Sequence, residues 1–168
     1  FFLKHEIDTG NIIKQEKEPI YEDDNAGTLY ERLMQKGSKL VLESVKLIEN
    51  GNVNLSPQED LQDLKPAPKI FKIDCDIDWN QDCQSVYDFI RGLSPYPAAK
   101  TKLNEIGLKV FKANKNIYKH NEIPGTYYSD NKSELSFFTI DGKMELKEVQ
   151  LDNKKKMSVE DLLKGYKV

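Results

Sequence analysis

PAPKIFKIDCDIDWNQDCQSVYDFIRGLSPYPAA, residues 66 to 99, decides how the chain is organised. Pro66 and Pro68 break any regular element and mark a linker, after which a short extended run leads to Asp78 and Trp79. One brief amphipathic helix follows. Asn80 suits its N-cap, Asp82 places a carboxylate in the positive first turn, and Cys83, Val86, Tyr87 and Ile90 share one face at i, i+3, i+4 and i+7 spacing. Gly92 is suited to the left-handed position beyond the helix. Ser94-Pro95-Tyr96-Pro97 forbids continuation, because neither proline has an N–H and each restricts its predecessor.

Upstream of this stretch, Phe1 to Lys4 reads as a buried strand end leading into the turn Asp8-Thr9-Gly10, and Ile12 and Ile13 open a second extended run to Ile20. Polar loops after strands are where α/β enzymes place reacting groups. Leu29, Leu33, Leu40, Val41, Val45 and Ile48 keep helical spacing, with Gly37 suggesting a break into two helices or a bend. Asn50-Gly51 reads as the stop, and Glu22, Asp23 and Asp24 as helix-terminal charge. Residues 51 to 69 have no apolar period and hold Pro57, Pro66 and Pro68, the pattern of an interdomain linker.

Downstream, the period turns towards two. Thr101 to Val110 reads as extended with a loop at Asn104 to Gly107, Asn114 to Asn116 as a polar break, and Pro124-Gly125 as a type II turn. Leu135 to Ile140 and Lys143 to Leu151 flank Asp141-Gly142, a strong hairpin signal. Met144 and Leu146 share one parity and Val149 and Leu151 the other, so a bulge is expected near Lys147 and Glu148. Short strands with turn signals and no long helix imply a small, partly open barrel. In the tail, Ser158 can cap a last helix with Asp161 reaching back, Met157 stapling onto Leu162 and Gly165 ending it.

The 168 residues are 38% apolar and 32% charged, a globular balance. No apolar run approaches roughly 18 residues and no charged segment precedes a hydrophobic one, so neither a membrane span nor a signal peptide is expected. Cys75 and Cys83 lack metal-ligand spacing, and His5 and His120 are far apart, so no metal site is expected and reduced cytoplasmic thiols are the default. Starting at Phe1 inside an apolar run, the chain reads as a fragment. Residues 1–97 carry 11 basic and 18 acidic side chains, net −7, while residues 98–168 carry 14 and 10, net +4. A basic second part points weakly to a polyanion.

The APKI linker, the DW pair and IRGLSPYPAA, in this order and spacing, resemble the start of the C-terminal domain of the methionyl-tRNA formyltransferase family. FFLKHEIDTGNII resembles the folate-side loop of the formyltransferase superfamily, and QLDNKKKMSVEDLLKGY the family's C-terminal end. The resemblance implies an α+β fragment: the end of a Rossmann-like formyltransferase domain in residues 1–50, a linker in 51–69, and an OB-like β-barrel domain in 70–168. It also implies formyl transfer from 10-formyltetrahydrofolate, as co-substrate, to the amino group of methionine on initiator tRNA. In the family an asparagine and a histidine stabilise the developing oxyanion, and an aspartate supports that histidine.

Only the aspartate has a counterpart here, Asp8, with Thr9 and Gly10 completing the folate-side loop. No N-x-H occurs in these residues, so the chain alone is expected to be inactive. Arg91, Lys109, Lys112, Lys115, Lys154, Lys155 and Lys156 are the expected tRNA phosphate contacts. An unpaired strand near Phe1 would favour self-association. Two alternatives stay open. One is a sugar-amine N-formyltransferase of the same superfamily. The other is a non-catalytic OB-type RNA-binding module stacking bases on Tyr87, Tyr96, Tyr118, Tyr127 and Tyr128.

Overall fold

The computed structural model describes residues 1–58 and 66–168; part of the expected linker, residues 59–65, lies outside the described residues. The chain forms two compact units, residues 1–23 with 28–69, and residues 24–27 with 70–168.

In the first unit the dominant element is α1, Ala26–Glu49. It runs unbroken through Gly37, where two helices or a bend were expected. One interior glycine costs only about 1 kcal/mol, which the strong helix formers on either side outweigh. The helix ends as the sequence implies: Gly51, at φ +67, donates to the Ile48 carbonyl, and Asn52 donates to Leu47, a Schellman closure. Glu22, Asp23 and Asp24 precede the helix, and its first turn holds no acidic residue.

Phe1 to Lys4 is not a strand and is exposed, and the run to Ile20 forms only an isolated bridge between Ile12 and Ser56. Strand propensity produces a strand only where a neighbouring strand accepts the ladder, and among the described residues the pairing extends no further than that bridge and a bond from Phe2 N to Asn11 O. Glu18 is clamped by Lys36 and Arg32 at 2.7 and 2.8 Å, and these cations, Lys36 foremost, hold its carboxyl below the ordinary range.

The second unit is a curled antiparallel sheet carrying two helices. A 3-10 turn at Ile73–Cys75 interrupts the expected extended run, because the Asp74 carboxylate accepts from Phe71 N. Helix α2, Cys83–Leu93, is capped by Asp82 rather than Asn80. The Asp78 carboxylate has already captured Asn80 N, so the next carboxylate, accepting from Ser85 N at 2.7 Å, starts the helix. Gly92 stays inside α2, and Ser94 is the C-cap.

The strands are β1 (Ala99–Leu103), β2 (Ile106–Ile117), β3 (Tyr127–Ser129), β4 (Leu135–Phe138), β5 (Gly142–Leu151) and β6 (Met157–Ser158), followed by α3 (Val159–Gly165). The sheet order is β1-β2-β5-β4-β3, with β6 pairing β5. The expected polar break at Asn114 to Asn116 is part of β2, which pairs with β5 through Ile117 while its polar side chains face outward.

The parity change in β5 is present as expected. Between the Val110–Val149 and Ala113–Leu146 pairs, Phe111 is extra on β2 and Lys147 extra on β5, so Met144, Leu146, Val149 and Leu151 all reach the core. The expected type II turn is also found: Gly125 has φ +86 and Thr126 N donates to Ile123 O. Ser158 caps α3, but Asp161 pairs with Lys164 at 2.7 Å instead of reaching back, and Gly165 is the last helical residue.

The core lies between the sheet and the inner faces of α2 and α3: Val86, Ile90, Leu93, Leu162 and Leu163 meet Leu108, Val110, Leu135, Phe137, Met144, Leu146 and Val149. Trp79 stacks on Phe137 with centroids 4.7 Å apart and planes 9° from parallel, and its indole N–H donates to Thr101 Oγ1 at 3.0 Å. Truncating Phe137 to Ala is expected to cost about 3–5 kcal/mol, read from urea unfolding with Trp79, the single tryptophan, as reporter.

Just before β4 and on β5, the half-buried pair Glu134–Lys143 at 2.5 Å lowers the carboxyl from its ordinary 4.5 and raises the amine from 10.5. The stabilisation from Glu134 is therefore present above pH 4.5 and lost as pH falls through the lowered value, while that from Lys143 is lost above 10.5. The stability difference between wild type and Glu134→Gln should hold steady from neutral pH to 4.5 and shrink at lower pH, as measured by thermal melts across that range.

Candidate functional site

In the first unit the chain turns at Ile7-Asp8, one residue before the expected Asp8-Thr9-Gly10, and bends again at Gly10; Asp8 has φ +59, a region open to Asp because its short side chain tolerates it. Gln58 pins the turn, its amide donating to Asp8 O at 2.7 Å and Gly10 O at 2.8 Å, and Thr9 Oγ1 donates to Glu6 O. Gly10 is buried because the backbone passes Phe2 so closely that an added Cβ would sit 1.5 Å from the Phe2 carbonyl oxygen. The backbone is thus tied down from two sides while the Asp8 side chain is exposed, with no internal partner among the described residues. His5 is exposed in the bend before the turn.

In the second unit the expected phosphate contacts divide. Arg91 is held by Asp88 at 2.6 Å, by the Asp24 carbonyl at 3.1 Å and over the Tyr87 ring. Lys115 donates to Gln84 Oε1 and lies 5.0 Å from the Tyr87 centroid; Lys156 pairs with Glu148 and covers Phe111. Lys109, Lys112, Lys154 and Lys155 carry no ion pair among the described residues. The residues expected to act as one basic face are therefore three committed cations and four available ones.

The five tyrosines divide as well. Tyr127 packs on Phe137 and bonds Asn104, Tyr118 packs on His120, Tyr128 lies under Lys143, and Tyr87 under Arg91 and Lys115. Tyr96 is 87% exposed and has no partner among the described residues.

Three cations went unmarked in the sequence reading. Lys100 and Lys102 alternate along β1, Lys100 is directly opposite Lys109 on β2, and these lysines join Lys72, Tyr96, Asp76 and Asp152 around an open groove of about 480 Å³. The alternation in Ala99-Lys100-Thr101-Lys102-Leu103 was the available signal, since every second residue of a strand shares a face. No group of three potential ligands among the described residues is arranged to hold a metal ion, and none of the described helices is long and apolar enough to cross a membrane.

Residues 69–167 match the family described as formyl transferase, C-terminal domain. The chain belongs to this family. Methionyl-tRNA formyltransferases of Parabacteroides distasonis and Bacteroides fragilis are 45% and 44% identical to it, in each case over 99% of this chain and 54% of the relative. The chain therefore spans about half the length of the curated relatives it matches. Among solved structures, HypX from Aquifex aeolicus shares the fold at TM-score 0.68 and 18% identity, covering 96% of this chain and 30% of that one. The sugar 3N-formyltransferase WlaRD does so at TM-score 0.65 and 20% identity, covering 91% and 53%.

Gly10→Ala should open the turn at Asp8 to Gly10 because its methyl group cannot coexist with the Phe2 carbonyl. Gln58→Ala should loosen the turn without displacing it. Hydrogen exchange at the bonded Phe2 and Ile12 amides checks both: the glycine variant is expected to lose protection there almost fully and Gln58→Ala in part, with β2 and β5 amides unchanged in each.

Proposed function

We propose that this chain is the C-terminal portion of a methionyl-tRNA formyltransferase, a cytoplasmic enzyme moving a formyl group from 10-formyltetrahydrofolate to the amino group of methionine on initiator tRNA. The observation carrying the reading is 45% identity over 99% of the chain, a span that includes both the Asp8 turn and the basic residues 98–168. On this reading residues 1–50 end a Rossmann-like formyltransferase domain, 51–69 link, and 70–168 form an OB-like barrel.

The turn suits a folate-type donor: the Asp8 carboxylate is exposed without an internal partner, and the exposed Ile7 offers an apolar surface beside it. Bound, such a donor supplies the electrophilic formyl carbon. Attack by the amine puts negative charge on the formyl oxygen and requires the amine to lose a proton. Asp8, its backbone pinned and its carboxylate uncommitted, supports and orients the histidine of an N-x-H lying outside these residues. Thr9 and Gly10 shape the loop. Because the asparagine and histidine are not among these 168 residues, the chain alone is inactive.

Lys109, Lys112, Lys154 and Lys155 position tRNA through its phosphates. Arg91, Lys115 and Lys156, already paired, contribute less unless RNA displaces their partners. The sugar-amine reading has less support, since the sugar enzyme shares the fold at 20% identity against 45% for the tRNA enzyme.

In the protein as its gene encodes it, Asp8→Asn should lower kcat for Met-tRNA formylation about 10²- to 10⁴-fold with tRNA affinity unchanged. The 168-residue chain itself should bind tRNA with affinity falling steeply as salt rises. A formylation rate indifferent to Asp8, or binding indifferent to salt, would sink the corresponding half of the proposal.

A further inference from the structure

Outward on the β1–β2 hairpin, Lys100 and Lys109 are directly opposite each other. Like charges at opposed positions, with Cβ atoms about 5 Å apart, destabilise a sheet. Neither has an ion-pair partner among the described residues, and neither does Lys72 across the groove. Lys102, two residues along β1, pairs only with the exposed Glu105 at 3.0 Å. The groove holds two counter-charges, Asp76 and Asp152, against four lysines, a local excess of positive charge in a chain whose net charge is −3.

Asp152 is packed against Gly107, where a Cβ would lie 2.3 Å from its carboxylate oxygen. That carboxylate therefore belongs to the groove's end and does not bridge the Lys100–Lys109 pair in sequence register. At the other end stands the uncovered Tyr96 ring. Proline on both sides fixes the neighbouring φ angles, and the loop is tied by Ala98 N to Leu93 O at 2.8 Å and Gly27 N to Ser94 O at 3.1 Å. The backbone that carries the ring is thus tied while the ring is not buried, which removes the usual reason for an aromatic residue.

We propose that the groove between Tyr96 and the Lys100–Lys109 pair binds an unpaired nucleotide of RNA, its base stacked on Tyr96 and its flanking phosphates against Lys72, Lys100 and Lys109. This rests on the tRNA-binding reading above and specifies where a single-stranded part of the RNA is read. An exposed ring favours unpaired over duplex RNA, because bases inside a helix already stack on each other. A cleft of about 480 Å³ falls in the size range of small-ligand sites and accommodates one splayed-out nucleotide rather than a duplex face.

The test titrates the full 168-residue chain against three fluorescein-labelled probes: a mixed-sequence RNA octamer, a 16-base-pair RNA duplex and initiator tRNA, each at several salt concentrations. Tyr96→Ala should weaken octamer binding at least ~10-fold and leave duplex binding unchanged, while Tyr96→Phe, which keeps the ring, should bind like wild type. Lys100→Gln with Lys109→Gln should lower the log–log salt slope for the octamer by about 1.4, at roughly 0.7 per phosphate contact. The double variant should melt no lower than wild type, which separates lost binding from lost folding.

Unchanged octamer affinity in Tyr96→Ala overturns the proposal and leaves the ring to a polypeptide partner. Equal weakening of octamer and duplex also overturns it, by reducing the groove to a diffuse charge effect. If tRNA still binds in either case, the tRNA reading survives; if the wild-type chain binds none of the probes, both fall.

Discussion

The second unit hangs on Trp79. Its ring lies flat on Phe137 of β4, its N–H is satisfied by Thr101 of β1, and its face backs the Pro124–Gly125 turn, with Trp79 Cδ1 3.5 Å from where a Gly125 Cβ would be. One side chain from the segment before α2 therefore touches both halves of the sheet, near its β1 edge and near its β3 edge. A curled sheet with unlike edges needs such a cross-tie, because strand pairing alone leaves its curvature free to vary. The hydrogen bond matters less for its own strength, about 1 kcal/mol, than for removing the cost of a buried unpaired indole N–H. Once Trp79 is seated, α2 follows within four residues, and its buried residues Val86, Ile90 and Leu93 can only face the same core.

This explains what was legible in the sequence. The DW pair, the helix after it and the proline stop are local features, and local features survive folding. So does the parity switch in β5, because a two-residue period cannot change face without a bulge. What failed depended on competition or on partners. Asn80 lost the cap to Asp82 because Asp78 reached Asn80 first, a contest no propensity decides. Gly37 did not break α1, and Phe1 to Lys4 did not become a strand, since the outcome depended on neighbours that the residues themselves do not name.

The candidate sites follow the same division. Asp8-Thr9-Gly10 was legible because the turn is coded by adjacent residues; that Gln58, 48 to 50 positions away, pins it was not. The expected cationic face was legible only as composition. Whether a lysine is free is a tertiary fact: Lys115 and Lys109 look alike in sequence, yet one lies over Tyr87 and the other stands opposite Lys100.

Fold and function part company on that last pair. Elsewhere on the sheet the cross-strand partners suit each other: Lys112 is opposite Glu148, and Lys109 stands beside Gln150 on its other side. A carboxylate at position 100 would have stabilised the hairpin by the same rule that makes two lysines costly. The fold tolerates the pair because both side chains border the open groove, where solvent reaches them and repulsion is screened within about 10 Å at ordinary salt. The same groove lets an anion reach both amines at once, so the pair that costs the sheet is also one placed to meet a phosphate. A local rule broken at the surface without internal compensation points outward, to what the surface meets.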